Sequence, residues 1–318
     1  MERFIMQDLI AWKNREDRKP LILLGARQVG KTYILKEFGQ REFENVAYIN
    51  CDNNAMVKDL FATDYNIERI LLTIGAITGV NIQAGKTLII MDEIQELHRG
   101  LASLKYFCED AREYHVAVAG SLLGLTLHQG ESYPVGKVNT LEMFPMTYEE
   151  FLLARGFKQR VDLLQSGMWD VVNSLRTLYI QHLREYYLVG GMPEAVKKFI
   201  DTNDANAVRE VQKEILHAYE KDISKHAPNE QVVRINQVWN SIPSQLAKEN
   251  KKFIYGVVKQ GARAKDYELA IQWLIDAGLI YKINRVKTIG MPLKIHEDIS
   301  AFKLYLLDCG LLGAMSNT

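Results

Sequence analysis

The sequence has few cysteines, and none of them lies near another. Cys51, Cys108 and Cys309 are widely separated and form no C-x-x-C motif. Structural zinc sites and disulfide frameworks need clustered cysteines, so the sequence argues against both. The histidines show no metal-ligand spacing, and no Ser-His-Asp or Cys-His arrangement is supported by its context. We therefore expect reduced, mostly buried thiols, as in a cytoplasmic protein.

Long apolar runs and an excess of charge are also missing. No run approaches the roughly 18 residues of a membrane-spanning helix, and residues 1–19 predict an amphipathic helix rather than a signal peptide. That helix has Phe4, Ile5, Leu9 and Trp12 on one face. Basic and acidic residues balance at 39 each, so net charge argues neither for nor against a nucleic-acid partner. From the lack of such a run we expect no membrane contact. A chain of 318 residues suggests two domains or three small ones.

A glycine-rich motif follows the apolar run Leu21–Leu24 and fits G-x-x-x-x-G-K-[ST], the phosphate-binding loop of P-loop nucleoside triphosphatases. The glycines let successive backbone N–H groups converge on phosphate oxygens. The lysine would add a charge at the β- and γ-phosphates, and the threonine hydroxyl would ligate Mg²⁺. A helix that opens at the lysine would aim its positive end at the same anion. We predict that nucleotide is bound by Gly25, Ala26, Arg27, Gln28, Val29, Gly30, Lys31 and Thr32.

Two carboxylates follow a second apolar run, Thr87–Met91, which predicts a central parallel strand. An acid at the end of such a strand holds Mg²⁺ through its water shell, and we assign this role to Asp92 together with Thr32. The adjacent Glu93 would accept a proton from, or orient, the water that attacks the γ-phosphate. The sequence therefore predicts a site that hydrolyses a nucleoside triphosphate, with Lys31 and Glu93 as catalytic residues.

Ser121 follows the next predicted strand and is the third catalytic candidate. Its hydroxyl would contact the γ-phosphate or the attacking water, but it would equally suit the cap of the next helix. Arg27 has two open interpretations as well, a phosphate contact or a salt bridge to a neighbouring element. No arginine finger stands out. The candidates, from this subunit or from a neighbour in a homo-oligomer, are Arg99, Arg112, Lys137 and Arg155.

Strands alternate with helices over residues 20–145, which predicts a doubly wound parallel α/β sheet. The predicted helix after the loop ends at Gly39, a further helix spans 101–113, and strands lie at 45–51, 115–119 and 138–144. From Tyr148 onward only helices are predicted, at 147–155, 161–187, 192–200 and 204–222. Gly190 and Gly191 break two of these helices, at what is otherwise a simple helix–helix corner.

The last part of the chain has the element order of a winged-helix module. Helices are predicted at 232–248, 252–260 and 264–277, and strands at 279–286 and 302–307. The third helix has a predicted apolar stripe of Leu269, Ala270, Trp273, Leu274 and Ala277. We predict a P-loop domain at 1–155, a helical region at 156–228 and a winged-helix-like domain at 229–318.

A local basic bias marks this last domain, where the nearby acids are Glu249 and Asp266. Such a patch could face the phosphates of DNA, although solvated charge clusters and protein-docking winged helices are equally ordinary. A DNA or protein partner is therefore expected through residues 229–318. The basic residues are Lys248, Lys251, Lys252, Lys259, Arg263 and Lys265.

With these elements in place, nearly the whole chain resembles the prokaryotic AAA-type ATPases of the archaeal-ATPase kind. The resemblance implies ATP and Mg²⁺ roles for Lys31, Thr32, Asp92 and Glu93, and a sensor role for Ser121. The chain departs from the family in two ways. Many members have an arginine in the segment where Gly136-Lys137 stands here. Members also commonly continue into a nuclease-like domain, whereas this chain ends at Thr318, as expected of a naturally short or a truncated form. Besides the loop at 25–32, the matching segments are 91–97 (MDEIQEL), 119–121 (AGS), 141–151 (LEMFPMTYEEF), 190–194 (GGMPE) and 302–312 (FKLYLLDCGLL).

Two functions from different classes follow from these observations. The first is a Mg²⁺-dependent ATPase whose cycle moves the helical and winged-helix regions. The second is a binding module for DNA or protein in which ATP acts as a slow switch with little turnover. Kinase-like phosphoryl transfer is a weaker third hypothesis, because no lid signature is present and Glu93 suits water. ATP is favoured over GTP because no guanine-reading motif is found.

Overall fold

The computed structural model describes residues 1–52, 54–61, 64–121, 123–126, 134–248 and 252–316. The chain divides into two units. The first unit is Arg3–Phe144, and the second is Pro145–Thr318 with Met1–Glu2. The division into three domains at 155 and 228 stays a prediction.

The first unit alternates helices and strands, as the apolar runs predict. Its central strands are wholly buried because a parallel sheet is covered by helices on both faces. Its elements are α1 (Ile5–Lys13), β1 (Leu21–Leu24), α2 (Lys31–Glu42), β2 (Asn45–Asn50), α3 (Ile67–Thr78), β3 (Thr87–Asp92), α4 (Gly100–Asp110), β4 (His115–Ala119), α5 (Leu123–Thr126) and β5 (Asn139–Glu142).

The sheet has five strands in the order β2-β3-β4-β1-β5, and all paired strands are parallel. The register aligns the carboxyl ends of the three middle strands, since Asp92 lies opposite Ala119 and Ala119 lies opposite Leu23. The loops that follow β1, β3 and β4 therefore start at one edge of the sheet. This edge is where open α/β sheets bind their ligands.

Several predicted boundaries in this unit are wrong. Helix α1 covers only part of residues 1–19, and its buried residues are Met6, Leu9 and Trp12 rather than the full predicted face. Helix α2 does not end at Gly39 but continues to Glu42. Gly39 serves packing there, because a Cβ at this position would lie 2.5 Å from the Val46 side chain and 3.3 Å from that of Leu88.

The second unit is mostly helical and ends in an antiparallel strand pair and a short helix. None of the helices in the described ranges has the length and apolar character needed to cross a lipid bilayer. The elements are α6 (Tyr148–Ala154), α7 (Lys158–Ser166), α8 (Trp169–Ser174), α9 (Arg176–Val189), α10 (Pro193–Thr202), α11 (Ala205–His226), α12 (Val232–Ala247), α13 (Tyr255–Val258), α14 (Ala264–Asp276), β6 (Ile280–Val286), β7 (Glu297–Leu306) and α15 (Cys309–Met315).

Three predictions for this unit need correction. The single helix expected at 161–187 is divided into α7, α8 and α9, because Gly167 adopts a left-handed conformation with φ of 70° and ends α7. The helix expected at 252–260 shrinks to the single turn α13. Leu269 is 69% exposed, and the buried face of α14 carries Tyr267 and Ile271 instead, beside Ala270, Trp273 and Leu274.

A buried joint ties the corner between α9 and α10 to the start of α15. The Asp308 carboxylate accepts hydrogen bonds from the backbone N–H groups of Gly191 at 2.6 Å and Leu311 at 2.9 Å. Gly190 has a φ of 74°, and a Cβ there would lie 2.2 Å from Asp308 Oδ1. Burial raises the pKa of Asp308, against the lowering effect of these N–H groups. Segments 190–194 and 302–312 thus meet, so the glycine corner is fixed by a side chain from the end of the chain.

Candidate active site

The loop between β1 and α2 is shaped by its two glycines. Gly25 has a φ of 143°, and a Cβ there would lie 2.2 Å from the backbone oxygen of Met143, just after β5. Gly30 has a φ of 100° and is the N-cap of α2. Gln28 also adopts a positive φ, 66°, which is uncommon outside glycine. Any side chain at 25 would therefore push the loop off the end of β5.

The backbone of this loop suits an anion. In the described part of the chain, the backbone N–H groups of Gln28, Val29 and Gly30 have no hydrogen-bond partner. Left-handed residues in a short turn form concavities lined by such N–H groups, and the positive end of the α2 dipole adds to the field. Ala26 and Val29 are buried, whereas Arg27 and Gln28 are exposed. The loop therefore fits a phosphate group.

Lys31 is the buried cation of the site, with an exposed fraction of 6%. Its ammonium donates 2.8 Å hydrogen bonds to the backbone oxygens of Gly25 and Ala26. Burial lowers its pKa to about 8, although Glu93 and Asp92 favour the charged form. The two loop carbonyls and the two carboxylates each offset part of the cost of burying this charge.

Thr32 and Asp92 meet directly, at the start of α2 and the end of β3. The Thr32 hydroxyl donates a 2.6 Å hydrogen bond to Asp92 Oδ2, and the Tyr48 hydroxyl donates to the same oxygen at 3.2 Å. Burial, the Asp92 charge and this hydrogen bond raise the pKa of Tyr48 to about 12. A hydroxyl beside a carboxylate fits Mg²⁺, which keeps several of its waters and takes few protein ligands. The described ranges contain no cluster of three or more His, Cys, Asp or Glu side chains arranged to hold a metal.

Glu93 is held by residues from two segments. Its carboxylate accepts hydrogen bonds from the Ser121 hydroxyl at 2.7 Å, the Ser121 N–H at 3.0 Å and the Gln95 amide at 2.6 Å. Burial opposes ionisation, but these donors and the Lys31 charge hold the pKa of Glu93 below its usual range. Ser121, whose role the sequence left open between a phosphate contact and a helix cap, lies against Glu93. Glu93 is therefore an ionised acceptor in a polar cluster.

Sequence reasoning missed Arg3, a buried residue that supports the loop from outside. Its guanidinium donates hydrogen bonds to the backbone oxygens of Val29 at 3.0 Å and Phe144 at 2.6 Å. It thereby links the loop to the segment after β5. An arginine within the amphipathic N-terminal helix pattern was the only available signal, and the pattern alone did not distinguish it from a solvated residue.

The arginine-finger candidates have local partners. Arg99 donates to the Tyr65 hydroxyl at 3.0 Å and lies over its ring. Arg112 contacts the Cys108 sulfur, and Lys137 forms a 2.8 Å ion pair with Glu109. In the second unit, the Arg155 guanidinium pairs with Glu185 at 2.5 Å. These contacts select none of the four as a finger.

Comparisons with protein families agree with this geometry. Residues 17–152 match a family described as an AAA domain, and residues 180–318 match a domain of unknown function, DUF8612. A search of curated proteins found no match.

Solved structures include similar folds. The Walker-type ATPase PABY2304 of Pyrococcus abyssi is 15% identical with a TM-score of 0.57, over 99% of this chain and 95% of that one. The RuvB Holliday junction branch migration motor of Thermotoga maritima is 15% identical with a TM-score of 0.40, over 88% of this chain and 89% of that one. The Aeropyrum pernix Orc1 protein in complex with DNA is 15% identical with a TM-score of 0.32, over 98% of this chain and 90% of that one. The last two similarities are too weak to bear on function.

The first unit therefore has the P-loop α/β fold, and residues 17–152 within it match the AAA domain family. The helical second unit follows it, with no function attached to its family description.

Proposed function

We propose that this chain binds ATP with Mg²⁺ and hydrolyses it to ADP and phosphate. The observation that supports this most strongly is the pairing of Thr32 with Asp92 at 2.6 Å, beside a buried Lys31 and an ionised Glu93. A structural glycine turn would need none of these groups. Together they supply a cation, a metal-binding pair of oxygens and a base at one edge of the sheet.

Each group has a separate task in the proposed reaction. The loop N–H groups and Lys31 bind the phosphates, and Lys31 leaves its backbone partners to do so. Thr32 and Asp92 would hold Mg²⁺, which would supply positive charge to stabilise the phosphates. Glu93 accepts a proton from water as the water oxygen bonds to the γ-phosphorus. The bond between the γ-phosphorus and the bridging oxygen breaks, and ADP leaves with the electron pair.

Phosphate release by wild type and by Glu93→Gln tests this proposal. Glu93→Gln keeps the size of the side chain but cannot accept the proton, so turnover falls while ATP binding persists. Lys31→Ala abolishes nucleotide binding, because it removes the loop's buried cation. Wild-type turnover no greater than that of Glu93→Gln would refute hydrolysis.

A second candidate is a nucleotide-gated module that binds duplex DNA through residues 229–318, which we propose to be winged-helix-like. The elements α12, α13, α14, β6 and β7 have the order of such a module. The described basic residues Lys248, Lys252, Lys259, Arg263 and Lys265 are all exposed, whereas Lys251 and Glu249 lie outside the described residues. Between β6 and β7, Ile289 is 97% exposed and Met291 is 89% exposed, and the exposed Lys287 and Lys294 flank them. Apolar tips flanked by lysines suit a nucleic-acid groove.

Fluorescence anisotropy of a labelled duplex tests the second candidate, with and without a non-hydrolysable ATP analogue. The triple variant Lys252→Glu, Lys259→Glu and Arg263→Glu should abolish a salt-dependent signal. Lys213→Glu, on α11 and also exposed, is the matched control and should lower binding only slightly. If the anisotropy of the duplex does not increase at low salt, DNA binding is refuted, and a protein partner is left as the candidate for this surface.

A further inference from the structure

Gln95 lies two residues after Glu93, in a 3-10 turn over Ile94–Glu96 that follows β3. Glu93 itself adopts a left-handed conformation, with φ of 54°, so the chain reverses sharply at the proposed base. This reversal brings the Gln95 amide nitrogen within 2.6 Å of Glu93 Oε2. The sequence pattern gave no role to Gln95.

The space for this amide is created by Gly120. A Cβ on Gly120 would lie 2.0 Å from Gln95 Oε1 and 2.8 Å from the Leu123 side chain. Of the two ends of the Gln95 amide, only the nitrogen can donate a hydrogen bond. An ionised Glu93 carboxylate can only accept, so the amide nitrogen is the end that faces it. The other end, Oε1, is buried against Gly120 without a hydrogen-bond partner among the described residues.

We propose that Gln95 is a positioning residue that fixes the Glu93 carboxylate where it can accept a proton from the attacking water. The inference rests on the proposed hydrolysis. The observations that carry it are the short donor distance, the left-handed backbone at Glu93 and the cavity left by Gly120. Burying the amide oxygen of Gln95 without a hydrogen-bond partner costs free energy of folding. The structure accepts this cost where the same amide donates to Glu93, which argues that this contact is functionally important.

Gln95 and Ser121 differ in what they can do when a nucleotide is bound. Ser121 donates to Glu93 through both its backbone and its hydroxyl, and a hydroxyl recruited by the γ-phosphate would release Oε1. Gln95 has no such second task, because its free end faces Gly120. It therefore remains a side-chain donor to Glu93 throughout the cycle.

The test compares Gln95→Leu with Glu96→Gln, a change of an exposed side chain in the same turn. Gln95→Leu has a similar volume but no donor. We expect its kcat to fall by about ten- to a hundredfold with KM for ATP little changed, since misplacement of a catalytic group by about 1 Å has effects of this size. Glu96→Gln should leave both constants near those of wild type.

A conservative variant separates positioning from a merely structural effect. Gln95→His keeps an N–H donor on a side chain of similar reach, so it should recover part of the kcat that Gln95→Leu loses. Gly120→Ala pushes the amide away and should act like Gln95→Leu, with little further loss in the double variant. Unchanged kcat in a folded Gln95→Leu protein would overturn the proposal.

A readout without turnover keeps this test separate from the proposed hydrolysis. The side-chain amide signals of Gln95, assigned by their loss in Gln95→Leu and followed by NMR in nucleotide-free protein, should shift when Glu93→Ala removes their acceptor. If wild type releases no phosphate, hydrolysis fails, but the amide signals still show whether Gln95 contacts Glu93. Identical amide signals in wild type and Glu93→Ala would refute the role of Gln95 even where wild type is an active ATPase.

Discussion

Thr32 and Asp92 are sixty positions apart, and the Thr32 hydroxyl donates to the Asp92 carboxylate at 2.6 Å. This contact joins the first turn of α2 to the last residue of β3. It brings two oxygens of different kinds together at the edge of the sheet, where each has been assigned to Mg²⁺. A change of the charged partner, Asp92, therefore makes the first prediction.

Asp92→Asn should weaken the apparent affinity for Mg²⁺ by about ten- to a hundredfold, because an amide carries no charge to hold the hydrated ion. Phosphate release measured over a range of Mg²⁺ concentrations checks this. Tyr48→Phe removes only the 3.2 Å contact to the same oxygen and serves as the control. A Mg²⁺ dependence that is equal in Asp92→Asn and wild type would contradict the assignment.

Nucleotide binding should weaken as the pH rises through about 8. Lys31 must be charged to bind phosphate, and burial lowers its pKa to about 8. Affinity for an ATP analogue, measured by calorimetry, should fall by at most about tenfold per pH unit above that point, since one proton is involved. Any binding by Lys31→Arg, whose guanidinium stays charged over this range, should lack this slope.

The same pKa has the opposite effect on stability without nucleotide. Between about pH 8 and 10.5 the unfolded chain holds the Lys31 proton more tightly than the folded chain does. The free energy of unfolding should therefore rise with pH across this window. Denaturant unfolding of Lys31→Met should lack this contribution, and equal slopes in both proteins would contradict the buried charge.

Arg3→Ala should destabilise the first unit and disorder the phosphate loop. It removes hydrogen bonds from a charged donor to Val29 and Phe144, which are worth about 1.5–3 kcal/mol each. We expect a loss of roughly 2–5 kcal/mol in denaturant unfolding, with weaker nucleotide binding. Arg15→Ala, the control, breaks only an exposed ion pair with Asp17 and should have little effect on stability.

Asp308→Ala should destabilise the second unit by roughly 2–5 kcal/mol. It leaves the N–H groups of Gly191 and Leu311 buried without their acceptor, at about 1–3 kcal/mol each. Unfolding followed by tryptophan fluorescence measures the loss. Asp201→Ala removes the exposed pair with Lys197 on α10 and should have little effect. Similar losses in both variants would show that the joint at Asp308 contributes nothing special.

Local patterns predicted most strands of the first unit and the position of the glycine loop between β1 and α2. The apolar runs at 21–24, 87–91 and 115–119 correspond to β1, β3 and β4, because buried parallel strands need continuous apolar sequence. The order of these strands and the register that aligns Asp92 with Ala119 depend on pairings between distant segments, which no local pattern encodes.

Residues whose role depends on distant contacts were the ones that escaped prediction. Arg3 looks like an ordinary polar residue until the chain folds back on it, and Gln95 depends on the space that Gly120 leaves for its amide. Gly39 ends a helix by local rules, yet it lies inside α2, where Val46 and Leu88 leave no room for a side chain. Leu269 matched the predicted apolar stripe, but the face of α14 that is buried includes Ile271 and leaves Leu269 exposed.

The sheet order determines when strand β1 can pair during synthesis. Strand β1 pairs with β4 and β5, so Leu21 has no strand partner until Ala117 on one side and Asn139 on the other have been synthesised. During synthesis roughly ninety residues follow β1 before β4 emerges, and β5 emerges later still. Gly25 meets its backbone contact at Met143 only after β5 has emerged. Nucleotide capture by ribosome-bound chains would therefore mark the completion of the first unit.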